Sequence, residues 1–115
     1  MYEVRKSFEI SAAHKLSLNY ESKCSGLHGH NWQIEVACKS NELDQNGMVV
    51  DFTHIKKVVE EQLDHKDICE FVVDGQRCNP TAENIARWIA EQIGDKCCEV
   101  KVEESKGNLA IWRAN

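Results

Sequence analysis

A chain of 115 residues has room for one domain with a modest core, spanning residues 1–115. Its 14 basic and 19 acidic residues give a formal charge of −5 with no Lys/Arg cluster, which excludes a nucleic-acid surface that draws its affinity from neutralising phosphates. The opening "MYEVRKSFEI" holds no long apolar run, so neither a signal peptide nor a membrane span is expected, and the cytoplasm is the expected location.

From the N-terminus, Tyr2, Val4, Lys6, Phe8, Ile10, Ala12 and His14 alternate with a polar set, which predicts a long strand with one apolar face ending in His14. The polar connection "KLSLNYESKCSGL" returns the chain to a second strand of matching length from His28, where His28, His30, Trp32, Ile34, Val36 and Cys38 share one parity. Together these form an antiparallel pair. "NELDQNG" is a turn-rich connector, and "MVVDF" is read as a short extended piece leading to Asp51, a helix N-cap. Phe52, Ile55, Val58, Val59 and Leu63 then recur at helical spacing, giving an amphipathic helix that closes near "LDHKD".

A loop with Gly75 and Pro80 precedes "TAENIARWIAEQIG". Here Thr81 is the N-cap, Ile85, Trp88, Ile89 and Ile93 form the buried stripe, and Gly94 stops the helix. "CEVKVEE" and "NLAIWRA", hinged at Lys106-Gly107-Asn108, are the last two strands. The order ββααββ predicts an α+β fold, an antiparallel four-stranded sheet with two helices on one face.

The six cysteines, Cys24, Cys38, Cys69, Cys78, Cys97 and Cys98, follow no disulfide framework and form no C-x-x-C pair. They read as reduced thiols, mostly packing residues, with Cys24 as the exception. The chemistry concentrates in "CSGLHGHNW". On a strand, residues i and i+2 present side chains to one face about 7 Å apart, so His28 and His30 can converge on one ion. Gly29 leaves the opposite face free for another backbone. His14, at the end of the neighbouring strand, can supply a third nitrogen. Three His ligands with an open fourth position describe a catalytic zinc site, whereas the bland alternative is three satisfied histidines at a strand end.

Cys24 sits close enough in sequence to lie beside such an ion as a base or nucleophile, or else as a fourth ligand or loop packing. Asp64-His65 pairs a carboxylate with an imidazole as a possible proton relay, although adjacent residues on a helix do not face each other. Glu104 shares parity with Val100 and Val102, which turns a carboxylate toward the apolar face, where it needs a partner such as a guanidine-like ring edge with adjacent N–H donors.

"FEISAAH", "CSGLHGHNW", "GMVVDF", "LDH", "NPTAEN" and "VEES" through "IW", in that order over almost the whole chain, resemble the 6-pyruvoyl-tetrahydropterin synthase family. Within it the short gap between Cys24 and His28 is similar to the bacterial 6-carboxy-5,6,7,8-tetrahydropterin synthases of queuosine biosynthesis. The resemblance implies a tunnelling fold (T-fold), in which sheets of several subunits join into a barrel, a homo-oligomer such as a hexamer, with active sites between neighbours. It also implies zinc on His14, His28 and His30, a catalytic relay of Cys24, Asp64 and His65, and a pterin ring held by Glu104 and bordered by Thr81. The implied substrate is 7,8-dihydroneopterin triphosphate, whose side chain leaves as acetaldehyde and triphosphate. Lys23, Lys66, Arg77 and Lys106 are candidates for the triphosphate by nearness to the motifs. Two alternatives stay open: a synthase that eliminates triphosphate but keeps the carbon side chain, and a non-catalytic zinc and pterin binder.

Overall fold

The computed structural model describes all 115 residues. Its elements run β1 (Tyr2–His14), a 3-10 turn (Lys23–Ser25), β2 (His28–Ser40), α1 (Phe52–Leu63), β3 (Asp67–Ile68), β4 (Phe71–Val73), β5 (Gln76–Cys78), α2 (Ala82–Ile93), β6 (Cys97–Ser105) and β7 (Asn108–Arg113). The period-two pattern places β1 and β2 where expected. They pair antiparallel from Tyr2 opposite Ser40 to His14 opposite His28 without a slip. Such long strands stretch the molecule to 51 Å along one axis and 24 Å across the others.

The four-stranded antiparallel sheet and the order ββααββ need correction. The main sheet has five strands in the order β3-β1-β2-β6-β7, and β4 and β5 form a separate hairpin. The fifth strand, β3, runs parallel to β1, with Ala13 opposite Asp67 and His14 opposite Ile68. It satisfies the outer edge of β1: the Ala13 N–H donates to the Lys66 carbonyl at 3.0 Å and the Lys15 N–H to that of Ile68 at 3.1 Å. The hairpin turns on Asp74 (φ 54) and Gly75 (φ 76), two left-handed residues as a tight type I′ turn requires. "MVVDF" forms no strand; Val49 is buried from an irregular segment.

Both helices cover the same face of the sheet. Ile55, Val59 and Leu63 of α1 and Ala82, Ile85, Ala86, Ile89 and Ala90 of α2 join Phe8, Ile10, Trp32, Ile34, Val36, Val100 and Val102 in one core. Burying an aliphatic side chain of this size contributes about 1.5–3 kcal/mol, so this layer fixes which side of each strand faces inward. Trp88, expected in the buried stripe, is half-buried and stacks instead on Phe71 of the hairpin, with ring centroids 5.2 Å apart. Asp51 and Thr81 cap their helices as expected, accepting from the N–H groups of Thr53 and Asn84.

The opposite face is solvated and charged. The Arg5 guanidinium donates to Glu3, Glu35 and Glu99 at 3.0, 2.9 and 2.7 Å. Its hydrogen bond, with that of Arg113, holds the Glu99 carboxyl below its ordinary range. Glu35 is pushed up by burial, but the Arg5 hydrogen bond and the Lys101 charge together bring it down. A depressed carboxylate pKa adds stability above the unfolded value of about 4, and that stability is lost as pH falls through the folded pKa. Arg5→Ala is therefore expected to be less stable than wild type at pH 7, with the gap closing below about pH 4. Thermal melts of both proteins across that window check it; a constant gap would mean the network does not titrate as described.

Candidate functional site

The ladder brings the three histidines together. His14 and His28 are directly opposite each other, and His30 is one inward position further along β2. Their ring centroids are 4.4 Å (His14 to His28), 5.1 Å (His14 to His30) and 5.0 Å (His28 to His30) apart. Trp32 forms the floor, edge-on to His14 and His30, and its indole N–H donates to the Ala12 carbonyl at 3.1 Å. The cluster thus sits at the end of a rigid strand pair above a packed indole.

The tautomers follow from the partners. Nδ1 of His14 donates to the Pro80 carbonyl and Nδ1 of His28 to the Gly26 carbonyl, both at 2.7 Å. A carbonyl can only accept, so each ring carries a proton on Nδ1 and turns Nε2 toward the others. Glu104 joins them: its Oε1 lies 3.0 Å from Nε2 of His14 and 2.9 Å from Nε2 of His30. Neither contact has hydrogen-bond geometry, and both nitrogens are buried without a partner. Burial holds the His30 imidazole below its ordinary pKa; the Glu104 carboxylate opposes this, and His14 and His28 reinforce it. Neutral imidazoles with lone pairs aimed at a carboxylate oxygen repel, and a cation among them converts every one of those contacts into attraction.

The donor atoms of His14, His28, His30 and Glu104 all lie within 4.8 Å of one another, so these four side chains form a group able to hold a metal ion. Three imidazole nitrogens and a carboxylate oxygen suit a first-row divalent cation. Sequence parity pointed Glu104 inward but not at the histidines. The signal it lacked is a bulge: pairing of β6 with β7 shifts between Glu103 and Ser105, leaving Glu104 as the extra residue whose side chain is re-aimed.

Glu104 also borders a cleft with Ala82, Glu83, Asn108 and Leu109 at the start of α2. Thr81 is not among its walls; its hydroxyl caps α2, accepting the Asn84 N–H at 3.2 Å. Asp64 and His65 lie elsewhere, at the junction of α1 and β3. The Ser11 N–H donates to Oδ1 of Asp64 at 2.8 Å, and the His65 N–H donates back to the Ser11 carbonyl at 2.6 Å. His65, left-handed at φ 58, leaves its ring largely exposed, with Nε2 3.7 Å from Oδ2 of Asp64. With Lys66 it lines a cleft whose other walls include Ser11, Ala12, Gly29, His30 and Asn31. Cys24 is half-buried in the 3-10 turn, where its N–H is capped by the Ser22 hydroxyl at 3.1 Å. Within one chain the histidines and Glu104 come together, whereas Asp64 and His65 stand apart from that group at the α1–β3 junction. Of the triphosphate candidates, Lys66 shares that cleft, and Arg77 lies 3.9 Å from Glu70.

Known proteins match most of the length of this chain. The sequence family described as 6-pyruvoyl tetrahydropterin synthase matches residues 3–115. A Bacillus subtilis 6-carboxy-5,6,7,8-tetrahydropterin synthase is 29% identical, covering 97% of this chain and 85% of its own. The Rickettsia felis protein of the same name is 32% identical over 84% of this chain and 83% of its own. A Dictyostelium discoideum 6-pyruvoyl tetrahydrobiopterin synthase is 31% identical over 96% and 91%. The solved 6-pyruvoyl tetrahydropterin synthase of Caenorhabditis elegans shares the fold, with a TM-score of 0.70 at 23% identity over 99% of this chain and 96% of that one. By the match over residues 3–115, this chain belongs to the 6-pyruvoyl tetrahydropterin synthase family.

Proposed function

We propose that the chain is a zinc-dependent 6-carboxy-5,6,7,8-tetrahydropterin synthase that converts 7,8-dihydroneopterin triphosphate to 6-carboxytetrahydropterin, releasing acetaldehyde and triphosphate. The observation that carries the reading is the convergence of His14, His28 and His30, two of them locked by backbone carbonyls with Nε2 inward. The names of the Bacillus and Rickettsia relatives support the product; the resemblance to the bacterial branch adds a role in queuosine biosynthesis, carried out in the cytoplasm. Zinc held by the three histidines supplies Lewis acidity toward the substrate's side-chain hydroxyls.

The remaining roles fall to side chains. Glu104, at the boundary between the histidines and the cleft beside α2, accepts from the amino-pyrimidine edge of the pterin, which Ala82 and Glu83, next to the capping Thr81, border. Cys24 removes a proton from the side-chain carbon, and His65 carries protons with Asp64 orienting it. Because Asp64 is itself pinned by the Ser11 N–H, its free oxygen has one direction in which to hold the ring. Cys24, Asp64 and His65 are not gathered with the metal group in one chain, so the complete site forms between subunits of a homo-oligomeric barrel, with a hexamer as the expected form.

Incubating the purified protein with 7,8-dihydroneopterin triphosphate tests the product. Triphosphate and acetaldehyde in equal amounts are expected. Triphosphate without acetaldehyde would instead establish the pyruvoyl-forming reaction, which the Dictyostelium relative's name favours.

A further inference from the structure

His14 differs from His28 in where its carbonyl comes from. The partner of His28, Gly26, is two residues away in its own loop, whereas Pro80 is 66 residues from His14 in sequence. Something must hold the Pro80 carbonyl in place across that gap. Pro80 itself is buried and has no N–H with which to anchor its own backbone.

Its flanking residues provide the anchor. Asn79 pairs with the backbone of Ser17, accepting the Ser17 N–H on Oδ1 at 2.8 Å and donating Nδ2–H to the Ser17 carbonyl at 2.9 Å. Ser17 lies just beyond His14, so this pairing ties the loop before α2 to the end of β1. On the other side Asn84 donates Nδ2–H to the Asn79 carbonyl at 2.9 Å, tying the loop to the first turn of α2, while its own N–H is capped by Thr81. The Pro80 carbonyl is thus suspended between two amide side chains that touch neither the histidines nor the cleft beside Glu104.

We propose that Asn79 and Asn84 form a clamp whose task is to set the tautomer of His14. A competing state exists: without the Pro80 acceptor, the proton on Nδ1 has nothing to hold it, and Oε1 of Glu104, 3.0 Å from Nε2, becomes an acceptor once the freed ring turns into line with it. In that state His14 donates to Glu104 and has no lone pair for an ion. The clamp keeps Nδ1 protonated and Nε2 available, which makes Asn79 and Asn84 positioning residues for the metal group. The inference rests on the reading of His14 as a metal ligand, but the tautomer is measurable without any metal.

The experiment uses full-length wild type, Asn79→Asp and Asn84→Ala. Asn79→Asp keeps the shape and the acceptor but sets an oxygen against the Ser17 carbonyl; Asn84→Ala removes the tie to the Asn79 carbonyl and leaves the Thr81 cap intact. In metal-free protein, imidazole nitrogen NMR is expected to show His14 Nδ1 protonated in wild type and unprotonated in a large fraction of each variant, while His28 is unchanged. Co2+ affinity is expected to fall tenfold to a hundredfold, the range seen when outer partners of a ligating histidine are removed. The visible spectrum of the Co2+ forms should shift with it. Should Asn79→Asp not fold, Asn84→Ala carries the test. Unchanged His14 protonation and unchanged Co2+ affinity in folded variants would overturn the clamp and leave both asparagines as helix-start residues. Loss of the Nδ1 proton in a protein whose wild type binds no Co2+ would uphold the clamp and refute the metal reading.

Discussion

His30→Ala is expected to lose its metal and its turnover together. His30 contributes one of the two buried Nε2 atoms with no partner, and removing it leaves His14, His28 and a carboxylate whose second contact has vanished. Changes to outer partners of a ligand already cost tenfold to a hundredfold in affinity, so loss of a ligand is expected to exceed about a hundredfold. The fold should survive. The backbone of β2 is held by its ladder, and deleting a buried nitrogen that lacks a partner removes a penalty rather than a bond. Metal content by elemental analysis, turnover and a thermal melt on one preparation check it. Full turnover by a metal-free His30→Ala protein would refute the role given to the ion.

Mixing two dead variants is expected to restore activity. Cys24→Ala and His65→Ala should each be inactive alone, because one removes the base and the other the proton carrier. In one chain the Cys24 side chain makes no hydrogen bond, and the one ion-pair partner of the His65 ring is Asp64. If a site takes Cys24 from one subunit and His65 from another, a mixed oligomer contains intact sites. Random assembly from equal amounts gives roughly a quarter of them in that state. Co-expressed or co-refolded variants should therefore recover roughly a quarter of wild-type turnover. No recovery in oligomers shown to be mixed would mean that each chain builds its own relay, and the shared-site reading would fail.

Period-two patterning carried most of what could be read from the chain. It placed β1, β2, β6 and β7 and put His14, His28, His30 and Glu104 on one face, because a thirteen-residue strand repeats its parity often enough to be unambiguous. The strands between the helices escaped for the opposite reason: β3 has two residues, β4 and β5 three each, too few to show alternation. Asp74-Gly75 was the available signal, a left-handed dipeptide between short apolar runs. Trp88 satisfied helical spacing, yet tertiary contact with Phe71 drew it to the margin of the core. The link from Asn79 and Pro80 to Ser17 and His14 spans more than sixty residues, and no local pattern encodes such a partner.

The unslipped ladder between β1 and β2 has a consequence for how such a chain can change. A slip of one residue would turn every ring of the cluster to the opposite face along with the whole apolar set, so the core itself enforces the ligand positions. Cys24 and the Asp64-His65 pair belong instead to the connections, in the 3-10 turn and at the α1–β3 junction. Lengthening the segment between His14 and His28 leaves the pairing untouched while moving the thiol relative to the rings. The scaffold therefore separates what must stay fixed from what can drift, and new chemistry on the same triad is reached by editing loop length, with the strands left alone.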